Sequence, residues 1–327
     1  MRKSNRQLLL EWAEQAQISA ADLPRAMRLG DAVPSQTDWR RFLDMLLLGL
    51  GGLLTVCGVI FFFAYNWENL GRFTRFLLVE ALIVISMGAV WWLGLEKISG
   101  RVALMMASVF VGVLLALIGQ TYQTGADTYE LFTIWALLIL PWTLLGRFDG
   151  LWVLWLLLVN LSLVLYFDTF GRWFNWWSGV EQLLWILFVI NTCALIVWEW
   201  VIAQGQSRRS LRWMTRLLAT VSCGLITSIA ILVLVDDGWT RFMVGIIAWL
   251  AWMAAAYFWY RRKVLDVYVL AIGVLSVVAV LNVAIGRMLF HGVLDNVAGL
   301  LIISLTVIGF SAMGAVWLKR IVNEAQT

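Results

Sequence analysis

Residues 46–65, LLLGLGGLLTVCGVIFFFAY, decide the fold. The run is twenty residues long and carries no charge. Its apolar side chains lack the alternating polar positions of a membrane β-strand. At about 1.5 Å per residue, a helix of that length spans roughly 30 Å, the thickness of the hydrocarbon layer. A helix also pairs its backbone groups within the segment, as lipid requires. The rest of the chain repeats the pattern. Of 327 residues, 62% are hydrophobic and 13% charged, too few charges to cover a water-facing surface. Only three prolines interrupt it. The expectation is an all-α, polytopic transmembrane helical bundle of about ten spans. They are placed near 42–65, 73–95, 102–120, 130–146, 150–167, 180–203, 213–235, 239–260, 264–285 and 295–318. The fourth and fifth are short, with Arg147, Phe148 and Asp149 between them, so a re-entrant hairpin is the alternative there.

Working outward, the loops alternate in charge. One set, beginning with the N-terminal segment, holds 19 Lys and Arg, and the other set holds 5. Basic loops stay on the cytoplasmic side, so both termini are expected in the cytoplasm. Many of the 21 tryptophans fall near span ends, where interfacial anchoring explains them. FGRWFNWWSG (170–179) concentrates aromatics in one outer loop and reads as an element in the headgroup layer. The net charge of +4 comes from loop arginines and implies no nucleic-acid partner.

Residues 1–41 read as a cytoplasmic amphipathic helical segment and 42–320 as the membrane domain, with a short tail at 321–327. No apolar core follows the basic start, so no signal-peptide pattern is seen. Leu8, Leu9, Trp12, Ala13 and Ala16 recur at helical spacing, and Ser19 with Asp22 reads as the start of a second helix ending at Gly30. A shift of 166 residues aligns FTRF (73–76) with WTRF (239–242) and superposes the first four spans on the last four. That suggests parallel four-helix repeats at 42–146 and 213–318, a duplication known among transporter folds.

The inventory for catalysis is thin. The chain has one histidine, His291, in a loop, which leaves little material for acid–base work or a zinc site. Neither a phosphate-binding glycine loop nor a G-x-S-x-G elbow occurs. Cys57, Cys193 and Cys223 lie inside apolar runs without metal-ligand spacing. Asp236–Asp237 reads as a solvated turn, and Gly49, Gly51, Gly52 and Gly58 as a packing surface. No enzyme and no cofactor are expected.

Ionisable groups inside spans are costly and are functional candidates by default. Glu80 is the clearest, with Arg72 and Arg75 above it as partners. Asp44, Glu199 and Asp266 lie near span ends, where capping or snorkelling suffices. Asn160, Asn191 and Asn282 read as interhelical hydrogen-bond partners. Two outward loops carry more polar chemistry than turns need: AYNWENLGRFTRF (64–76) and IGQTYQTGADTYELFTIWALLILPW (118–142). The candidate cluster is Asn66, Trp67, Arg72, Arg75, Glu80, Gln120, Tyr122, Asp127 and Trp135.

The same stretches carry a family resemblance. Ala64, Asn66 and Trp67 form an A-x-N-W motif. Gln120, Tyr122, Gly125, Asp127, Leu131, Phe132, Trp135 and Pro141 form I-x-Q-x-Y…G-A-D…L-F-x-x-W-A-L-L-x-L-P. Residues 5–145 thus resemble the bacterial predicted-membrane-protein family known as domain of unknown function 2157. The resemblance implies an inner-membrane protein and brings no activity or catalytic residues. Two functional readings follow. One is a transporter-like or ligand-binding protein, with the polar cluster as entry for a small molecule. The other is a non-catalytic envelope accessory or scaffold protein, set in the lipid bilayer, that docks membrane-protein partners through its N-terminal helices and outer loops.

Overall fold

The computed structural model describes residues 5–324 apart from 16, 20, 31, 34, 67–69, 124, 172–178, 205–211, 237–238 and 291–295. The described residues form helices and connections, with no strand. The helices are α1 (Asn5–Glu14), α2 (Leu23–Leu29), α3 (Gln36–Asn66), α4 (Arg72–Leu93), α5 (Ile98–Tyr122), α6 (Thr128–Gly146), α7 (Asp149–Phe170), α8 (Gly179–Ala203), α9 (Arg212–Val235), α10 (Trp239–Phe258), α11 (Val267–Phe290) and α12 (Asn296–Glu324). A π turn, Trp259–Lys263, extends α10.

The last ten helices, α3 to α12, are long and apolar enough to cross a membrane. The expected spans are therefore present, with boundaries within a few residues. The larger differences are that α3 starts at Gln36 and α12 runs to Glu324. The short fourth and fifth spans are helices of 19 and 22 residues, each of spanning length. Pro141 lies inside α6 without ending it. The aromatic loop at 172–178, Trp67, Asp237 and His291 lie outside the described residues.

The expected N-terminal helices form a small hairpin. The Ser19 hydroxyl donates to the Asp22 carboxylate at 2.8 Å and accepts from the Asp22 amide at 3.2 Å, setting the turn before α2. A Cβ on Gly30 would come within 2.9 Å of Leu9 of α1, so the end of the second helix rests on the first.

The chain divides into two compact units, 1–162 and 163–327. In the first, α5 packs against α3, α4 and α6. Small residues allow this. Gly100, Ala103, Ala107, Ser108 and Gly112 are buried along α5, and close helix approach is how packing energy is gained where lipid is as apolar as leucine. At Gly112 the Trp135 ring of α6 occupies the space a side chain would need. Its Nε1 donates to the Ser108 carbonyl at 2.8 Å. Trp155 of α7 donates likewise to Ala136 at 3.1 Å, and the Thr133 and Ser162 hydroxyls pair at 2.5 Å.

In the second unit α9 packs against α8, α10 and α11, and α12 packs on α11. The α9 face formed by Ile226, Ile229, Ala230 and Val233 is fully shut from solvent and meets Trp249 and Trp252 of α10. Ser276 of α11 joins three helices: its hydroxyl pairs with Thr227 at 2.6 Å and accepts from Trp249 Nε1 at 2.9 Å. Interhelical bonds of this kind contribute about 0.6 kcal/mol each on average in a bilayer.

Candidate functional site

The first unit holds the residues expected from sequence. Helix α4 buries Val79 and Ser86 and packs Phe76 and Ile83 toward Leu117, Val113 and Leu114 of α5. The opposite stripe, Phe73, Leu77, Glu80, Val84, Gly88 and Trp91, is exposed. Glu80 therefore stands on the outer surface of a spanning helix. It lies eight residues past Arg72, roughly 12 Å along the axis.

Neither expected arginine meets it. At about 100° per residue, Arg72 lies about 80° and Arg75 about 140° round the helix from Glu80. Arg72 instead sets its guanidinium over the Tyr122 ring, 5.8 Å from the centroid, and Tyr122 also contacts Phe76 at 6.0 Å. Arg75 Nε donates to the Leu70 carbonyl at 2.9 Å. Among the described residues, no ion pair joins Glu80 to either.

The other expected residues disperse. Gln120 is exposed near the end of α5. Asp127 is an exposed N-cap of α6 in extended conformation, and its side chain makes no capping bond. Trp135 points into the bundle and pins α6 to α5. Asn66 closes α3, and Trp67 is not described. Of the nine, the structure brings together Arg72 and Tyr122, with Arg75 close by on α4.

The second unit carries denser polar networks, one at each end. At one end Glu181 and Gln182 are buried in the first turn of α8. Arg241 Nη1 lies 3.1 Å from the Asp236 carboxylate and 3.9 Å from that of Glu181. Arg287 donates to the Leu234 carbonyl and, at 3.3 Å, to that of Asp236, closing the C-terminal turn of α9.

At the other end Asp266 is the anchor, its side chain 1% exposed. Its Oδ1 accepts from the Tyr268 amide at 3.1 Å, capping α11. Its Oδ2 receives Arg216 Nε at 3.1 Å and Arg212 Nη1 at 3.4 Å. The Arg216 guanidinium also lies over the Tyr268 ring at 5.6 Å. From the π turn, the Tyr260 hydroxyl donates to Glu199 of α8 at 2.9 Å, and its carbonyl accepts the Asp266 amide at 3.2 Å. Arg261 pairs with Glu324 of α12. Capping by Asp266 was foreseeable from its place before an apolar run. Its arginines, 54 and 50 positions upstream, were visible in sequence only as loop charge.

Residues 10–152 match the family model described as "Predicted membrane protein (DUF2157)". The match runs from α1 into the start of α7 and bears out the resemblance read over 5–145. No curated protein and no solved structure matches the chain.

Proposed function

We propose that the chain is a non-catalytic assembly protein of a bacterial inner membrane, docking a different membrane protein along the exposed stripe of α4. One observation carries this: Glu80 faces outward from a spanning helix. Ionisable side chains in spans ordinarily turn inward or find a partner, and a charge at mid-helix costs about 2.5–3.5 kcal/mol on insertion scales. A glutamate is too short to reach the interface from roughly 12 Å inside. A partner helix with a basic, amide or hydroxyl side chain at the same depth removes that cost. A second copy using the same stripe would set Glu80 against Glu80, so a different chain is the better match. Phe73, Leu77, Val84 and Trp91 supply the apolar flank, and Gly88, with no atom near the place of its absent Cβ, admits a close helix. The excess of 19 basic residues against 5 supports cytoplasmic termini, with Glu80 in the outer half of the bilayer.

The test uses a photo-reactive amino acid at Leu77 or Val84, activated in living cells. The expected product is a discrete adduct with one membrane protein, absent in Glu80→Leu. Abundance and thermal stability of Glu80→Leu should be equal to or above those of the parent, because leucine suits lipid better. A fall in stability by about 1 kcal/mol or more would mean that Glu80 supports its own fold. Adducts with lipid alone, or only with a second copy, would also overturn the reading.

A further inference from the structure

We propose that the end of the second unit where α9 begins is a binding site for a phosphate-bearing anion, with Arg212 and Arg216 as its fork. The two arginines stand one turn apart on α9, and both reach the same buried oxygen, Asp266 Oδ2. Each makes one contact there, through Nη1 in Arg212 and Nε in Arg216, and each guanidinium carries five donors. Their side chains remain 44% and 47% exposed, so the remaining donors stay accessible beside a fixed anchor. Tyr268 backs Arg216 with its ring, and Asp266 is itself fixed by capping α11. Guanidiniums held from behind in this way present a preorganised fork, the geometry that matches phosphate.

A second observation points to the same ligand chemistry. Trp198 Nε1, Trp259 Nε1 and Thr215 Oγ1 are shut from solvent and have no hydrogen-bond partner among the described residues. Each adjoins a member of the network in sequence: Glu199, Tyr260 and Arg216. Indole nitrogens only donate, and a hydroxyl can donate, so these three groups suit an acceptor-rich ligand. The acids nearby are already engaged: Asp266 with the arginines, Glu199 with Tyr260, Glu324 with Arg261. A π turn adjoins the anchor through the Tyr260 carbonyl, which accepts the Asp266 amide, and such local irregularities are found often at functional sites. At the end of a span, such a fork sits level with headgroups, where basic pockets take anionic lipids. The phosphate belongs either to a phospholipid headgroup or to a soluble phosphate ester.

The experiment compares the full-length protein with R212Q/R216Q in nanodiscs of phosphatidylcholine alone or with phosphatidylglycerol. A matched control, K319Q/R320Q, removes the same charge from α12. Native mass spectrometry reads retained phosphatidylglycerol, and thermal unfolding in phosphatidylcholine nanodiscs reads stabilisation by inorganic phosphate. For a headgroup ligand, R212Q/R216Q is expected to retain phosphatidylglycerol at least about tenfold less than wild type, while the control matches wild type. A headgroup source gives the retention difference without phosphate stabilisation, and a soluble source gives the reverse. R212K/R216K keeps the charge and loses the fork, so it should fall with R212Q/R216Q. The proposal is overturned if the arginine variants and the control behave alike in both arms, or if the lysine variant binds like wild type.

Discussion

At Gly112 the indole of Trp135 lies where a side chain would have to go, so the α6 ring packs directly on the α5 backbone. Gly112→Ala forces the two helices apart and should cost about 1–3 kcal/mol, the usual toll of overpacking. Gly58 gives the contrast, since nothing lies within 4 Å of its missing Cβ; Gly58→Ala should stay within about 0.5 kcal/mol of the parent. Unfolding in mild detergent, followed by tryptophan fluorescence, separates the two, and equal effects would refute close packing at Gly112. Trp135→Phe keeps most of the ring and removes the donor to Ser108; about 0.6–1.7 kcal/mol is expected from the lost bond. Trp135 belongs to the most distinctive motif of the chain, yet its work is to hold two helices together. A motif reports that residues recur together. Whether they face a ligand or each other depends on which side of the helix they occupy.

Elements show where sequence reading succeeds and where it stops. Hydrophobic length runs along one dimension, so α4, α8 and α10 start within one residue of their expected places at 73, 180 and 239. Polar partners are settled in three dimensions. Arg72, Arg75 and Glu80 lie close together in sequence and sit on different sides of α4, a separation the helical period already contains. Arg287 and the end of α9 are more than fifty residues apart and meet, which no local pattern announces. The meeting matters because the last four carbonyls of a helix lack intrahelical partners. Arg287→Met keeps the apolar stem and removes the donors. Amide exchange over the C-terminal turn of α9, up to Asp236, should speed up several-fold, and the loss should amount to about 1–3 kcal/mol. Unchanged exchange there would show that Arg287 does not close the helix.

For the whole molecule the main quantity is which ends face which side, and the proposed orientation rests on the charge of the loops. Ten helices of spanning length would return the chain to its starting side, and the uneven basic residues are expected to choose that side. Labelling makes the choice visible. Cysteines placed at Gln123 and Glu96, in consecutive connections, should differ in intact cells: an impermeant maleimide reaches Gln123→Cys from outside and Glu96→Cys only after permeabilisation. Cys57 and Cys193 are first replaced by alanine, while Cys223, buried in α9, can stay. A reversed pattern would have unequal consequences. The α4 stripe would survive, because lateral exposure of Glu80 to lipid is the same for either orientation, although its depth would be counted from the other leaflet. The fork of Arg212 and Arg216 would keep its geometry and move to the outer leaflet, where it would meet the phosphates of that side. Orientation therefore sets which pool of phosphate the fork meets, and the two arms of the nanodisc experiment choose the source within it.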